Sequence, residues 1–336
     1  MDLFAFARAL IDVDSTTGKE GALGELLVTL LEGRTGPGAV ERMPVAEGRF
    51  NVFAAWGEPK VVLSTHYDTV PPFFPSSEDE DFLHGRGACD TKGGIAAMFG
   101  AIDELLAAGR RGFGLLLVVG EETDSLGAEV ANRHPRGSRY LINGEPTENT
   151  LALGSKGTLY LDLLAEGRAA HSAYPELGDS AIESLLEALA RLRRVPLPHD
   201  PVLGETTLNV GTLAGGRAAN VVADRARAEV LLRTVGPTEE LVRALRAAVA
   251  GTGENAVRIA TLRQTTAISL GCLPGYATSV VKYTTDIPRL SRWGEPFLLG
   301  PGSIHVAHTP HERIAKRELV QAVGLYRSLV ETLLDR

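Results

Sequence analysis

Acids and histidines gather in five short clusters of this sequence, read at or near the ends of strands. They are Ser64-Thr-His66-Tyr-Asp68, Gly85-Arg-Gly-Ala-Cys-Asp90-Thr-Lys, Gly120-Glu121-Glu122-Thr123, Asn143-Gly-Glu145-Pro and Gly300-Pro-Gly-Ser-Ile-His305-Val-Ala-His308-Thr-Pro-His311. Each has a plain alternative. A surface His near an Asp is common. Asp90 before an apolar helix could be an N-cap. Adjacent Glu121 and Glu122 could form a solvated loop, or serve as one cation ligand and one general base. Three of the eight histidines fall between His305 and His311, a density that favours function. Asp90 stands where a dinucleotide loop would place its third glycine, and an acid there would repel a pyrophosphate.

The elements around these clusters explain why they should meet. Val61-Val-Leu-Ser-Thr and Gly114-Leu-Leu-Leu-Val-Val-Gly are near-continuous apolar runs, as expected of strands buried on both faces. Strands are also expected at 51–56, 140–143 and 295–299, and helices at 2–12, 19–32, 92–108, 125–133 and 312–335. Thr17-Gly-Lys-Glu20 reads as a capping box for the second helix. This alternation predicts an α/β fold with a mostly parallel sheet sandwiched by helices. A parallel sheet gathers its strand ends on one edge, so the clusters should converge. A cluster of oxygen and imidazole ligands without a cysteine suits zinc, cobalt or manganese, and a metal pair needs a shared carboxylate.

Between residues 157 and 268 the pattern changes to βαββαβ, with strands at 159–165, 206–213, 225–233 and 256–262 and helices at 180–194 and 238–250. Alternating polarity in these strands predicts an antiparallel sheet with one wet face. The expected organisation is a catalytic domain in two pieces, 1–156 and 269–336, with an inserted α+β domain at 157–268.

Composition narrows the function classes. The 336 residues carry a net charge of −8, with 44% hydrophobic and 23% charged residues. An acidic balance argues against a nucleic-acid or anionic-membrane partner. Two cysteines cannot build a disulfide framework and fit a reducing compartment. No apolar run reaches the roughly 20 residues of a membrane span. No basic segment precedes an apolar core at the start, so a cytoplasmic location is expected.

Taken together, the five clusters resemble the co-catalytic zinc aminoacylases and exopeptidases. That family includes acetylornithine deacetylase, succinyl-diaminopimelate desuccinylase, bacterial glutamate carboxypeptidase and aminoacylase. The resemblance spans nearly the whole chain. It implies two divalent cations, zinc or else cobalt or manganese. His66 and Glu145 would hold one, Glu122 and His308 the other, and Asp90 would bridge them. Glu121 would be the general base, and Asp68 would orient His66. In many relatives an Asp stands where this chain has His311. The inserted domain would be a lid and dimerisation domain, making a homodimer. Gly167-Arg-Ala-Ala-His171 resembles the loop whose histidine crosses a dimer interface to support the oxyanion. Asn220 and Arg233 resemble residues that hold the substrate carbonyl and carboxylate.

The implied reaction is hydrolysis of an amide in an N-acyl amino acid or short peptide. Tyr283-Thr-Thr-Asp286 and Gly300-Pro-Gly-Ser-Ile look most like deacetylases acting on acetylornithine, acetyl-lysine or acetylcitrulline, with Asp286 as an acidic pocket wall. A desuccinylase or a di- or carboxypeptidase is the alternative. Outside the family, a non-catalytic metal-binding protein would be expected to lack the base or a ligand. A serine hydrolase would need a Gly-x-Ser-x-Gly elbow, and none is present; Ser155 reads as a hinge.

Overall fold

The computed structural model describes residues 2–36, 38–250 and 257–336. Helices are α1 (Leu3–Ile11), α2 (Gly21–Thr35), α3 (Gly93–Ala107), α4 (Leu126–Arg133), α5 (Ala181–Leu192), α6 (Glu239–Ala250) and α7 (Lys316–Leu334). The principal strands are β1 (Glu41–Ala46), β2 (Arg49–Trp56), β3 (Val61–His66), β4 (Phe113–Val118), β5 (Tyr140–Asn143), β6 (Gly157–Glu166), β7 (Thr207–Gly215), β8 (Arg225–Thr234), β9 (Arg258–Thr265) and β10 (Glu295–Leu298). The chain divides into two compact units. One comprises Met1–Leu153, Leu270–Ser279 and Thr285–Arg336, and the other Gly154–Ser269 with Val280–Thr284.

The first unit is built on a six-stranded sheet in the order β1-β2-β4-β3-β5-β10. The last four strands run parallel, while the β1–β2 hairpin joins through an antiparallel β2–β4 pairing. Every residue of β3 and β4 is buried, which is why both read as unbroken apolar runs. Helices α1, α3 and α7 pack on one another and bury Phe6, Phe99, Leu319 and Tyr326. A second cluster centred on Trp293, Leu116 and Leu141 includes residues of α4. The mixed α/β architecture agrees with the sequence reading. Strand β1 and the short strands Phe82–His84 and Arg313–Ala315 were not expected.

The inserted unit is a four-stranded antiparallel sheet, β7-β8-β6-β9. Strand β8 alternates exposed and buried residues along its length. Its buried set, Ala226, Ala228, Val230 and Leu232, clusters with Leu185 and Leu189 of α5 and Leu245 of α6. The first residue of the expected last strand, Ala256, lies outside the described residues. Among the described residues no helix is long and apolar enough to cross a membrane.

The expected capping box does not form. Helix α2 begins after Glu20 with no side-chain cap. Glu20 is buried and takes Arg49 in an ion pair of 2.6 Å, and Thr17 turns to Asp68. Glu20 keeps a local bond, accepting from Gly18 N at 2.8 Å, but not the one from Thr17 N that the box requires.

Asn51, fully buried on β2, braces the loop after β4. Its Nδ2 donates to Gly127 O at 2.8 Å, and its Oδ1 accepts from Val119 N at 3.2 Å. Gly127 is required there, because a Cβ would lie 2.2 Å from Val119 O. Asn51→Leu should leave the buried Val119 amide unsatisfied, lowering unfolding free energy by about 1–3 kcal/mol. A urea titration checks this, and an unchanged midpoint would contradict the brace.

Candidate metal centre

The strand register brings the clusters to one edge. His66 closes β3 opposite Val118, which closes β4, while Ser64 and Leu298 both pair with Asn143 at the end of β5. The next residues along each strand are therefore neighbours beyond the carboxyl edge, where α/β sheets bind ligands. Asp68 follows β3, Glu121 and Glu122 follow β4, Glu145 follows β5, and the His308 loop follows β10. Asp90 arrives from the buried turn ahead of α3.

Asp90 is the centre of the arrangement. Its Oδ1 lies 3.0 Å from His66 Nε2, and its Oδ2 lies 3.2 Å from His308 Nε2. On the first side, Glu145 Oε2 is 3.9 Å from His66 Nε2. On the other, both oxygens of Glu122 lie 3.0–3.1 Å from His308 Nε2. One carboxylate thus divides its oxygens between a His66/Glu145 group and a His308/Glu122 group. Asp90 does not cap α3; that position is Lys92, which makes no side-chain cap bond. His305 and His311 are exposed, and of the three C-terminal histidines only His308 pairs with these acids. His308 holds a left-handed backbone, φ 62°, a conformation uncommon outside glycine.

The donor set fits divalent cations. His66, Asp90 and Glu122 place one ligand atom each within 4.8 Å of one another. Glu145 Oε1 is buried without a hydrogen-bond partner. The electrostatics agree. Hydrogen bonds to Asp90 and Glu122 push the His308 imidazole up to about 10. Burial would lower the His66 imidazole, but the surrounding carboxylates, Asp68 and Asp90 foremost, raise it well above its ordinary value. Burial also lifts the Glu145 and Glu121 carboxyls well above the usual range, and neighbouring acids add to it. Burial alone would raise the Asp90 carboxyl too, yet hydrogen bonds from His308 and His66 hold it below. The upward direction at both imidazoles follows from the carboxylates around them, a concentration of negative charge of the kind that divalent cations neutralise.

Asp68 works mainly on the acidic loop. His66 Nδ1 donates to the Asp68 backbone oxygen at 3.0 Å, with the carboxylate at 3.5 Å. With Nδ1 engaged in this way, Nε2 is the nitrogen that would face a bound cation. The Asp68 carboxylate accepts from Glu121 N at 3.1 Å, Glu122 N at 3.3 Å and the Thr17 hydroxyl at 2.7 Å. The side chain of Glu121 makes no hydrogen bond or ion pair among the described residues, so it is free to handle a proton. Thr17 was misread as a cap because nothing in the local sequence points to residue 68. Asp286 is only 1% exposed and does not form an open pocket wall. Burial pushes its carboxyl up to about 6, and its charge acts on Glu121 and Glu145.

The remaining candidates lie on the inserted unit. His171 is exposed, and its Nδ1 accepts from Ala173 N at 3.1 Å, so Nε2 carries the proton and can donate. Asn220 is its neighbour, with its backbone oxygen accepting from Ser172 N at 3.0 Å. Arg233 on β8 is half-buried, and burial alone lowers its guanidinium from the ordinary value. It has no acidic partner among the described residues.

A model of Peptidase family M20/M25/M40 matches residues 62–332. A Peptidase M20 domain-containing protein of Schizosaccharomyces pombe is 38% identical, covering 98% of this chain and 84% of its own. A probable carboxypeptidase of Aspergillus fumigatus is 36% identical over 99% of this chain and 87% of its own. In fold, the chain resembles a tripeptidase of Staphylococcus aureus with a TM-score of 0.84 at 20% identity, covering 99% of this chain and 98% of that one.

Replacing the shared carboxylate tests the centre. Asp90→Ala should lose tight binding of both cations, not one, when metal content is measured after dialysis. Full occupancy in that variant would reject the bridge.

Proposed function

The chain belongs to Peptidase family M20/M25/M40 and is a hydrolase acting on peptides, and from that premise we propose that it uses two divalent cations, zinc or else cobalt or manganese, to cleave the amide that joins a terminal amino acid to a short peptide. The observation that carries this reading is the division of the Asp90 oxygens between two groups of acids and histidines, beside a Glu121 side chain that makes no hydrogen bond among the described residues.

The chemistry that bound cations supply is polarisation of a water and of the scissile carbonyl. Each remaining role belongs to this chain. Glu121 takes the proton of the attacking water and delivers it to the leaving nitrogen. Asp68, Thr17 and the two loop amides hold Glu121 and Glu122 at their places. His171, from the lid formed by the inserted unit of a second copy, donates from Nε2 to the developing oxyanion. Asn220 holds the substrate carbonyl. Arg233, a half-buried cation without an acidic partner among the described residues, receives the substrate's free carboxylate. The homodimer reading draws support from β7, an edge strand that exposes Leu213, and from exposed Leu186 on α5. The cysteines, buried Cys89 and exposed Cys272, are both unpaired, which supports a cytoplasmic setting.

A second substrate reading rests on Tyr283-Thr-Thr-Asp286, the motif that looks like acetylornithine-type deacetylases. It needs the same leaving group, an amino acid with a free carboxylate. The carboxypeptidase names of relatives more than one-third identical favour peptides first.

A substrate panel and three measurements on variants test this. A panel of di- and tripeptides, their C-terminal amides, acetylornithine, acetyl-lysine, acetylcitrulline and succinyl-diaminopimelate should show turnover only where the carboxylate is free. Equal rates on the amides would reject the leaving-group assignment. Glu121→Gln should lower kcat by about 10²–10⁴ with metal content unchanged, and near-normal turnover would remove Glu121 as the base. His171→Ala should lower kcat by about 10²–10³. Mixing the two variants should then recover activity if His171 acts across a dimer, and no recovery would exclude that arrangement.

A further inference from the structure

We infer that Arg86 and Glu312 form a buried clamp that positions the Asp90 carboxylate and ties it to the His308 loop, so that the two cation positions are organised as one. This rests on the cation-pair reading above.

Both residues are enclosed, Arg86 at 2% and Glu312 at 1% exposure. Arg86 Nη1 meets Glu312 Oε2 at 2.5 Å. The other oxygen, Oε1, is not used on a second cation. It accepts from Cys89 N and Asp90 N, each at 3.2 Å. One of the two amides it selects therefore belongs to the residue whose side chain is shared between the two ligand groups. The Glu312 backbone is engaged as well, since Gly85 N donates to Glu312 O at 3.1 Å. Glu312 stands four residues beyond His308 on the same loop. A shift of Asp90 is thus coupled through one carboxylate to the segment that carries His308.

Arg86 is itself fixed. Its Nε donates to Pro72 O at 3.2 Å, its backbone N donates to Phe74 O at 3.2 Å, and its guanidinium lies 5.0 Å above the Phe74 ring. Its positive charge offsets Glu312, which would otherwise add one more negative charge beside Asp90. A buried ion pair is a weak source of stability, because desolvation cancels most of its attraction. The pair is therefore better explained by what it positions than by what it stabilises. Partners that orient metal-binding side chains commonly control affinity by about 10–100-fold.

The test titrates Co²⁺ into the chelator-stripped full chain, read by calorimetry and by visible absorption. Thermal unfolding of the metal-free chain runs alongside. The wild type should take two ions. Glu312→Gln keeps one oxygen for the amides but turns an NH₂ group toward Arg86. It should weaken both binding steps together, by about 10–100-fold, and alter the cobalt absorption band. Arg86→Met/Glu312→Leu removes the charges and leaves an apolar pair, so its unfolding temperature should stay near that of the wild type. Its Co²⁺ affinity should nevertheless stay as low as that of Glu312→Gln. Affinity that returns to wild type along with stability would overturn the clamp, as would weakening of one step alone. If the double variant does not fold, Glu312→Gln decides, and a wild-type isotherm and spectrum reject the inference. A wild-type chain that takes fewer than two ions would overturn the cation-pair reading itself, before any substitution is compared.

Discussion

Negative charge gathered at the shared edge of four parallel strands is the constraint on which the rest of the first unit depends. Asp68, Asp90, Glu121, Glu122 and Glu145 would separate if they were free to move. Parallel register denies them that freedom, because His66, Val118 and Asn143 end their strands side by side. The loops that follow are then pinned by polar groups drawn from distant parts of the chain. Thr17 and two backbone amides hold Asp68, Asn51 bridges Val119 to Gly127, and Glu312 grips the Asp90 amide. A buried polar network of this kind fixes geometry only when its members are satisfied. Among the described residues, the buried carboxylate oxygens left without a hydrogen-bond partner are Glu145 Oε1 and both oxygens of Asp286.

The same constraint explains how much could be read in advance. Strand ends are legible because buried strands are apolar runs that stop where the chemistry begins, as Val61–Thr65 stops at His66. The five candidate clusters followed from position and type, since each stands within a few residues of such a stop or of the Asp90 turn, while the ligand roles within them were implied by the family resemblance. The supporting residues were not legible. Arg86 and Glu312 are 226 positions apart, and Asn51 and Gly127 are 76 apart. Spacing along the chain carries no signal for such pairs. Thr17 shows the converse error. Thr-x-x-Glu has the local form of a capping box, but a half-buried arginine claimed the glutamate and a buried aspartate claimed the hydroxyl. Strand β1 was missed for a related reason: Glu41–Ala46 has one buried residue and contains Pro44, so it lacks the apolar pattern of an inner strand.

The inserted unit obeys a different logic. Its sheet has one packed face, and alternation in β8 made its direction and its core predictable from the sequence. Its polar candidates, His171 and Asn220, sit on exposed loops held together by backbone bonds rather than in a buried network. Such loops hold a donor in place but leave it accessible. That suits groups which meet substrate, whereas the enclosed strand-end loops suit groups which meet cations. Arg233 lies between these cases, half-buried and without a counter-charge among the described residues.

Asp286 shows why a motif near a site need not report on the substrate. The sequence linked it to basic side chains because an acid on a pocket wall attracts a cation. An acid at 1% exposure cannot form that contact without first opening its surroundings. Its charge is felt instead by Glu121 and Glu145, whose carboxyls it helps to raise. The residue therefore bears on the two acids proposed to handle the proton and to face a cation, roles that would serve any amide alike. Discrimination among amino-acid leaving groups must come from exposed groups that touch them. On the proposed roles, the chemistry common to amides would sit at the strand ends and substrate choice would fall to the more accessible surfaces.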